Sequence, residues 1–267
     1  MRRALMPLAA AAAITVVPAS AQVPSPAPGK GWAGEFWPRG GGAESNSGGT
    51  TGAGFLDGAA SYTFDNGITG KVELQGNSLL GRDGVGGKAQ AWWQDPRLGL
   101  LGAYAEASRS NGLWQRRFVA QGELYLGPFT LRGQAGFTPG DRQGNTELPG
   151  GFFGIASGGW YPFDALGLNL GAASQSGRGL VFGNIEWAPG FMPRESSFTV
   201  DAGAGPNGFL LGLVGVRFVF GPGASSSVRG RQVGTAPGFP RYVVRAFGER
   251  TIPEQDQCFN YFYQYCL

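Results

Sequence analysis

The residues of this chain that could do chemistry are charged side chains recurring at every second position of apolar stretches. In residues 68–77, Lys71 and Glu73 alternate with Val72 and Leu74. Alternate side chains of a β-strand point to opposite faces, so such a strand has one ionisable face and one apolar face. In a closed barrel the ionisable face would line a water-filled lumen and set its ion selectivity. The charged residues expected inside by this rule are Asp57, Lys71, Glu73, Lys88, Glu123, Arg132, Asp201 and Arg217.

These inward charges have a second interpretation, in which they pair with one another and close a narrow lumen. A barrel of about eight strands is filled by its own side chains, whereas a barrel of about 16–18 strands holds an open channel. A barrel of intermediate size is compatible with both arrangements. The expected set is balanced in sign, which argues against strong selectivity for either anions or cations.

Catalysis is disfavoured because the sequence contains no histidine. A Ser–His or Asp–His arrangement cannot be assembled, and neither can a metal site with imidazole ligands. Glu186 and Asp201 are a pair of carboxylates that could in principle hydrolyse a glycoside. Opposed charges are common in barrel lumens, however, so we predict no enzyme, no cofactor and no metal site.

The elements that would position the inward charges are strands of alternating pattern between residues 54 and 221. About eleven such runs are visible, and Asp65-Asn66-Gly67 between the first two is a strong hairpin signal. One further strand, from the region of Trp32 or elsewhere, gives twelve. Single-chain bacterial barrels have even strand numbers, so we predict an all-β, antiparallel transmembrane β-barrel of about 12 strands, with 10 as the alternative.

The connections between the predicted strands divide into tight turns and longer loops. The turns at 65–67 and 127–128 are predicted to be periplasmic. Aromatic residues cluster toward the strand ends, as they do in the interfacial girdles of membrane barrels. The segments predicted to be outer loops are residues 80–86, 108–114, 139–150 and 189–196.

Residues 1–21 have the pattern of a cleavable secretory signal. Arg2 and Arg3 precede an apolar stretch at 4–17 and a small-residue cleavage site, so cleavage is expected after Ala21. The apolar stretch is shorter than the roughly 20 residues that a spanning helix needs. Removing both arginines lowers the formal net charge from +3 to about +1, so the high isoelectric point does not indicate a nucleic-acid partner.

Further segments flank the barrel, which is expected at residues 54–221. Residues 22–53 form a Gly/Pro/Ser-rich leader, in which the apolar knot at 31–37 is either part of a flexible linker or a first strand or lumen segment. Residues 222–267 form a C-terminal extension that is expected to be a periplasmic tail.

The tail contains the two cysteines of the sequence, Cys258 and Cys266. We expect them to form a disulfide in an oxidising periplasm, because two thiols without histidine are too few ligands for a metal. The tail is compatible with a stapled knob, a plug or a docking patch.

The end of the predicted barrel carries a pattern of glycine and aromatic residues. Gly215 is followed three and five positions later by Phe218 and Phe220. This spacing resembles the C-terminal assembly signal of porin-like outer-membrane β-barrels of Gram-negative bacteria, although 47 residues follow it here. Residues 93–102 and 122–127 are also similar to segments of proteobacterial barrels.

The resemblance implies a location in the cell outer membrane. Lipid, lipopolysaccharide and the barrel-assembly machinery would then be the partners of the chain. The implied function is a small porin-like channel for small solutes, and the balanced charges make it weakly selective. The alternative is a non-conducting structural or adhesion barrel that binds an envelope partner through its loops or tail. A soluble periplasmic β-sandwich is a third interpretation.

Overall fold

Most of the described chain is β-strand. The computed structural model describes residues 30–46, 49–110, 112–143, 146–148, 150–175, 178–225, 227–234 and 250–251. One helix, α1 (Val228–Gly234), and a short 3-10 turn, Pro206–Gly208, occur within these residues. In chain order the strands of the described residues are β1 (Gly31–Ser45), β2 (Gly49–Thr63), β3 (Ile68–Leu79), β4 (Arg82–Asp95), β5 (Gly99–Ser110), β6 (Leu113–Leu126), β7 (Phe129–Thr138), β8 (Asp141–Gln143), β9 (Thr146–Leu148), β10 (Gly151–Phe163), β11 (Leu166–Gln175), β12 (Arg178–Trp187), β13 (Ser196–Ala204), β14 (Leu210–Phe220) and β15 (Arg250–Thr251).

Twelve of the strands form one closed antiparallel barrel. The order around the ring is β1 to β7 and then β10 to β14, so each strand pairs with its neighbours along the chain. The last strand, β14, completes the ring by pairing with β1, where Glu35 lies opposite Val219 and Gly40 lies opposite Val214. The prediction of an all-β antiparallel barrel of about twelve strands is confirmed.

Alternation along each strand separates the interior of the barrel from its exterior, as β6 illustrates. Gln115, Arg117 and Glu123 are buried inside, whereas Phe118 and Leu124 lie on the outer surface and are more than half exposed. Strand pleating turns successive side chains to opposite faces, and closure of the sheet removes unpaired edges.

The outer surface of the barrel is apolar. Val72, Leu74, Leu101 and Leu170 are examples from different strands, and each is more than half exposed. Exposed apolar surface of this extent is unfavourable in water but is favourable against the hydrocarbon core of a bilayer. Among the described residues, no helix is long and apolar enough to span a membrane.

The barrel has two mouths with different connections. The terminal mouth, where β1 starts and β14 ends, carries the turns at 64–67, 96–98, 127–128 and 164–165 and the loop at 188–195. The far mouth carries the alternate connections, of which the one between β7 and β10 is the longest. Gly67 and Gly127 have φ values of +78° and +59°, a region that glycine enters without the strain of a Cβ atom.

The loop at 188–195 lies at the terminal mouth, on the same side as the turns at 64–67 and 127–128. The prediction of an outer loop at 189–196 is therefore wrong. Strand parity fixes the side of every connection in an up-and-down barrel, whereas loop length does not. This loop contacts α1, where the Arg194 carbonyl oxygen accepts a hydrogen bond of 2.8 Å from Arg231 Nη2.

The other predicted outer loops all lie at the far mouth. Two of them are tight turns, because β4 already begins at Arg82 and β6 at Leu113. The long connection at 139–150 contains β8 and β9, which pair with each other.

The barrel begins at Gly31 rather than at residue 54. Of the interpretations offered for residues 31–37, the structure contains the first strand, and β2 also starts within the predicted leader. The glycines in the middle of β1 hide the alternation of this strand, because they have no side chains. At least one of them is needed for packing. A Cβ at Gly41 would lie 2.0 Å from the carbonyl oxygen of Gly212, so the first and last strands approach closely only because glycine is present. Residues 1–29, including the predicted signal peptide, lie outside the described residues.

The C-terminal extension has described parts at both mouths. Helix α1 lies at the terminal mouth, where the backbone N–H of Arg229 donates to the Asp164 carbonyl oxygen. Strand β15 pairs with β9 at the far mouth, so Arg250–Thr251 does not lie on the side predicted for the whole tail at 222–267. A strand of two residues is too short to show alternation in the sequence. It forms by pairing with the otherwise free edge of β9.

Candidate functional site

The interior of the barrel is lined by charged side chains from most of its strands. Burial of so many ionic groups requires that they be paired and hydrogen-bonded. The structure places all eight side chains that we expected inside the barrel in its interior, each between 2% and 8% exposed: Asp57, Lys71, Glu73, Lys88, Glu123, Arg132, Asp201 and Arg217.

A continuous series of ion pairs, here called the ion-pair chain, runs along the interior wall. It starts on β4, where Lys88 Nζ lies 3.1 Å from Glu73 Oε2 on β3. Glu73 Oε1 lies 3.0 Å from Lys71 Nζ, and Lys71 also pairs with Glu35 on β1. Cations and anions therefore alternate from β4 to β1.

The ion-pair chain continues across the closure of the barrel to the C-terminal extension. Glu35 pairs with Arg217 on β14, and Arg217 Nη1 lies 3.2 Å from Glu186 Oε2 on β12. The last link is Arg231 of α1, whose Nη1 lies 3.4 Å from Glu186 Oε1. Burial lowers the pKa of Arg231, and the neighbouring Glu186 opposes this shift. Arginine side chains are not deprotonated in proteins, so the guanidinium remains a cation at neutral pH.

A second group of charges surrounds Arg39 near the middle of the barrel. Arg39 pairs with Asp57 on β2, and its Nη1 lies 3.3 Å from Asp201 Oδ2 on β13. The guanidinium carbon of Arg39 lies 3.9 Å from the ring centroid of Trp37, and that of Arg217 lies 5.5 Å from the same ring. Trp37 thus connects this group to the ion-pair chain through cation–π contacts.

Arg132 forms the centre of a third group on the opposite wall. Its Nε donates to Glu123 Oε1 at 3.2 Å, and its Nη1 donates to Asn169 Oδ1 at 2.6 Å. Its Nη2 donates to the Tyr161 hydroxyl at 2.6 Å. These bonds fix the guanidinium plane and hold a cation against the wall.

Several interior charges were not in the predicted set, although most had a signal in the sequence. Glu35, Trp37 and Arg39 alternate along β1, and Arg117 shares a face with Glu123 on β6. Arg231 had no periodic signal because it belongs to a short helix outside the barrel strands. The missed residues are Glu35, Arg39, Glu106, Arg117 and Arg231, and Glu186 was noted only as one of a pair of carboxylates.

The interior toward the far mouth is mainly apolar, although Glu106 and Arg117 are also buried there. Buried hydrophobic side chains from many strands contact one another there as a single cluster, here called the apolar cluster. Arg117 borders this cluster, with its guanidinium carbon 5.2 Å from the Phe153 ring centroid. Its principal members are Phe55, Leu79, Val119, Phe153, Ile155, Leu180, Phe182, Phe209, Leu211 and Leu213.

Buried glutamine side chains occupy one wall of the interior. Oε1 of Gln90, Oε1 of Gln115 and Nε2 of Gln121 have no protein hydrogen-bond partner among the described residues, and each side chain is about 95% buried. Buried polar atoms are nearly always hydrogen-bonded, so these three atoms are positions at which water or a polar solute could bind.

The remaining predicted residues lie in β14 and in the tail. Phe218 and Phe220 face outward at the end of β14 and are nearly half exposed. A Cβ at Gly215 would lie 2.4 Å from the Pro38 carbonyl oxygen, so this glycine is required for close contact with β1. Their role as an assembly signal stays a prediction, and Cys258 and Cys266 lie outside the described residues.

Comparison with known proteins identifies the fold. No protein-family model and no curated protein matches the chain. The solved structure of KdgM porin is similar, with a TM-score of 0.53 and 10% identity over 70% of this chain and 99% of that chain. The structure of KdgM porin in complex with disordered oligogalacturonate also has a TM-score of 0.53, with 9% identity and the same coverage. At these identities the likeness shows the fold, which is that of a porin-like outer-membrane β-barrel.

Proposed function

We propose that the chain is a channel of the cell outer membrane for small solutes and is not an enzyme. The observation that carries the proposal is the inverted polarity of the barrel, with an apolar exterior and an interior of ionic and amide groups. A barrel of this kind places a polar path inside a membrane-compatible wall. Export through a cleaved signal at residues 1–21, with lipid, lipopolysaccharide and the assembly machinery as partners, belongs to the same proposal.

The charge balance of the interior favours weak selectivity. Seven cations and seven carboxylates are buried or nearly buried inside the described barrel and helix α1. A pore lined in this way would not strongly favour anions over cations. KdgM porin has been solved with oligogalacturonate, an anionic sugar chain, but the balanced interior of this chain favours no such restriction.

Conduction is supported by the part of the interior wall that Gln90, Gln115 and Gln121 line. The unpartnered amide atoms of Gln90 and Gln121 imply hydration on β4 and β6, next to ion pairs on either side. Water held by these amides would provide the polar contacts that a small solute needs while it passes the middle of the barrel.

The test is the reversal potential across a salt gradient in planar bilayers. Protein lacking residues 1–21 is refolded, and heat-modifiable migration on a gel verifies the barrel. Arg132→Gln should shift the reversal potential toward cation selectivity, because it leaves the interior with one excess negative charge, and Glu123→Gln should shift it in the opposite direction. Arg97→Gln, an exposed residue of a turn, should leave it unchanged. Equal reversal potentials in all these conducting variants would exclude a path past Arg132.

A second candidate function, a non-conducting structural or adhesion barrel, is favoured by the apolar cluster. Leu211 and Leu213 of this cluster are 5% and 1% exposed, so apolar side chains pack against one another here as they do in a protein core. In this case the loops or tail would bind an envelope partner. A folded barrel that carries no current under any condition, with or without its C-terminal extension, would establish this alternative.

A further inference from the structure

The C-terminal extension turns back across the terminal mouth immediately after the last strand. The backbone N–H of Gly223 donates to the Trp32 carbonyl oxygen at the start of β1, at 3.2 Å. On the other side of the mouth, the backbone N–H of Arg229 donates to the Asp164 carbonyl oxygen, and Arg229 Nη2 donates to the Gly127 carbonyl oxygen at 2.6 Å. The segment therefore crosses the opening from β1 to the turns after β6 and β10.

The segment also inserts side chains into the barrel. Val228 is completely buried, and a Cβ at Gly167 would lie 3.1 Å from its Cγ1 and 2.8 Å from the Tyr161 ring. Gly167 on β11 thus leaves the space that Val228 fills. An apolar side chain that is fully removed from water stabilises the docked position of a short helix.

Arg231 holds the segment by a set of hydrogen bonds that uses all three guanidinium nitrogens. Nη1 donates to Ser197 Oγ at 2.9 Å and to Glu186 Oε1 at 3.4 Å. Nη2 donates to the carbonyl oxygens of Arg194 and Ser196 at 2.8 and 3.3 Å. Nε donates to the Ser225 carbonyl oxygen at 3.0 Å, which closes the segment on itself. A planar fork with five N–H donors fits this arrangement, and a lysine ammonium does not.

We propose that residues 221–225 and 227–234 are a plug that closes the terminal mouth, and that the guanidinium site of Glu186, Ser197 and the loop at 188–195 is its latch. The plug rests on the proposed channel function for its biological meaning, but its docking is independent of that function. Release of Arg231 would break the last link of the ion-pair chain and leave Glu186 paired with Arg217, so the barrel itself would stay intact.

The first experiment measures single-channel current through the full mature chain. Arg231→Ala should raise the fraction of time in the open state on the order of 100-fold, because each charge-assisted hydrogen bond is worth a factor of about ten or more. Arg231→Lys should give an intermediate increase, since it keeps the charge but loses the fork. A chain that ends at Phe220 defines the fully open current, and Arg97→Ala is the matched control at the same mouth. An unchanged open fraction in Arg231→Ala would overturn the latch.

The second experiment reports on docking without any current. Val228→Cys is introduced into a chain in which Cys258 and Cys266 are replaced by serine, and labelling by a maleimide is timed. Labelling should be slow in this parent and on the order of 100-fold faster when Arg231→Ala is added. Fast labelling in the parent would show that the plug is not docked and would overturn the proposal. If no variant conducts but the labelling rates differ as expected, the channel function fails and the plug stands.

Discussion

The two halves of the barrel interior are built from the same alternating strands, but one half buries mainly ion pairs and the other mainly apolar side chains. Toward the terminal mouth, the inward positions carry the ion-pair chain, in which each buried charge requires a neighbour of opposite sign. Toward the far mouth, the inward positions carry the apolar cluster, whose members gain from burial without any directional partner. The comparison teaches that strand alternation determines where a side chain points, whereas the local choice of residue determines whether water is admitted or excluded.

The difference should be visible in how each half responds to loss of one side chain. In the charged half, removing one member leaves a buried ion without its partner, which costs more than the pair itself contributes. In the apolar half, removal leaves a cavity whose cost depends on how far the neighbours can relax.

The largest effect is expected from Arg217→Ala in the charged half. Arg217 contacts both Glu35 and Glu186, so its loss leaves two buried carboxylates short of a cation. We expect the free energy of unfolding to fall by about 3–5 kcal/mol, as for other broken buried pairs. Urea titration in detergent, followed by heat-modifiable gel migration, measures this change. A loss below that of the Leu213 variant described next would show that the charged half is not the more sensitive one.

A smaller loss is expected from Leu213→Ala in the apolar half. Leu213 is 1% exposed, and its truncation should cost about 3 kcal/mol through lost burial and an unfilled cavity. Leu210→Ala on the outward face of the same strand is the control, because its side chain is half exposed. The same urea titration compares both variants with the parent, and equal midpoints would contradict a packed apolar interior.

Trp37→Phe tests the contact between two groups of charges. The indole Nε1 donates to Thr199 Oγ1 at 2.9 Å, and the ring lies against the guanidinium groups of Arg39 and Arg217. Phenylalanine keeps a ring but loses the hydrogen bond and the stronger cation–π surface, so a loss of about 1 kcal/mol is expected. A double-mutant cycle with Thr199→Val separates the hydrogen bond from the ring contact, and additive effects would eliminate the former.

The smallest effect is expected from Lys30→Ala at the rim of the terminal mouth. Lys30 Nζ lies 3.0 Å from Asp65 Oδ1, but the two side chains are 73% and 84% exposed. Solvent screening should keep the change in unfolding free energy within about 0.5 kcal/mol. The ion pair is thus a reference for the interior pairs, and a loss comparable to that of Arg217→Ala would remove the distinction between buried and exposed charges.

Sequence reasoning found the barrel and the charged half because contrast between polar and apolar residues is strong there. Lys71 and Glu73 stand out between Val72 and Leu74, and all of the charges predicted inside are inside. The apolar half offers no such contrast. In β12 the inward Phe182 follows the outward Val181, so both faces look apolar and the side of each residue cannot be read from its type.

The first strand and the plug were harder to predict for other reasons. Glycine at positions 40, 41 and 42 removes the side chains that would display the alternation, and Gly41 permits the close approach of β1 to β14. Docking of α1 depends on Glu186 and on the loop at 188–195, which are distant from Arg231 in the sequence. The residues around Arg231 contain no pattern that predicts these contacts.

The ion-pair chain also has a consequence for the order of assembly. The contact between Glu35 and Arg217 joins residues 182 positions apart, and that between Arg39 and Asp201 joins residues 162 positions apart. Contacts of such long range form late, because the intervening chain must first be arranged. Until the first and last strands have paired, Glu35 and Arg39 have only their partners Lys71 and Asp57 from neighbouring strands, and Arg217 has only Glu186. Closure of the barrel therefore adds the ion pairs of Arg39 with Asp201 and of Glu35 with Arg217, and an incompletely closed barrel lacks these two contacts.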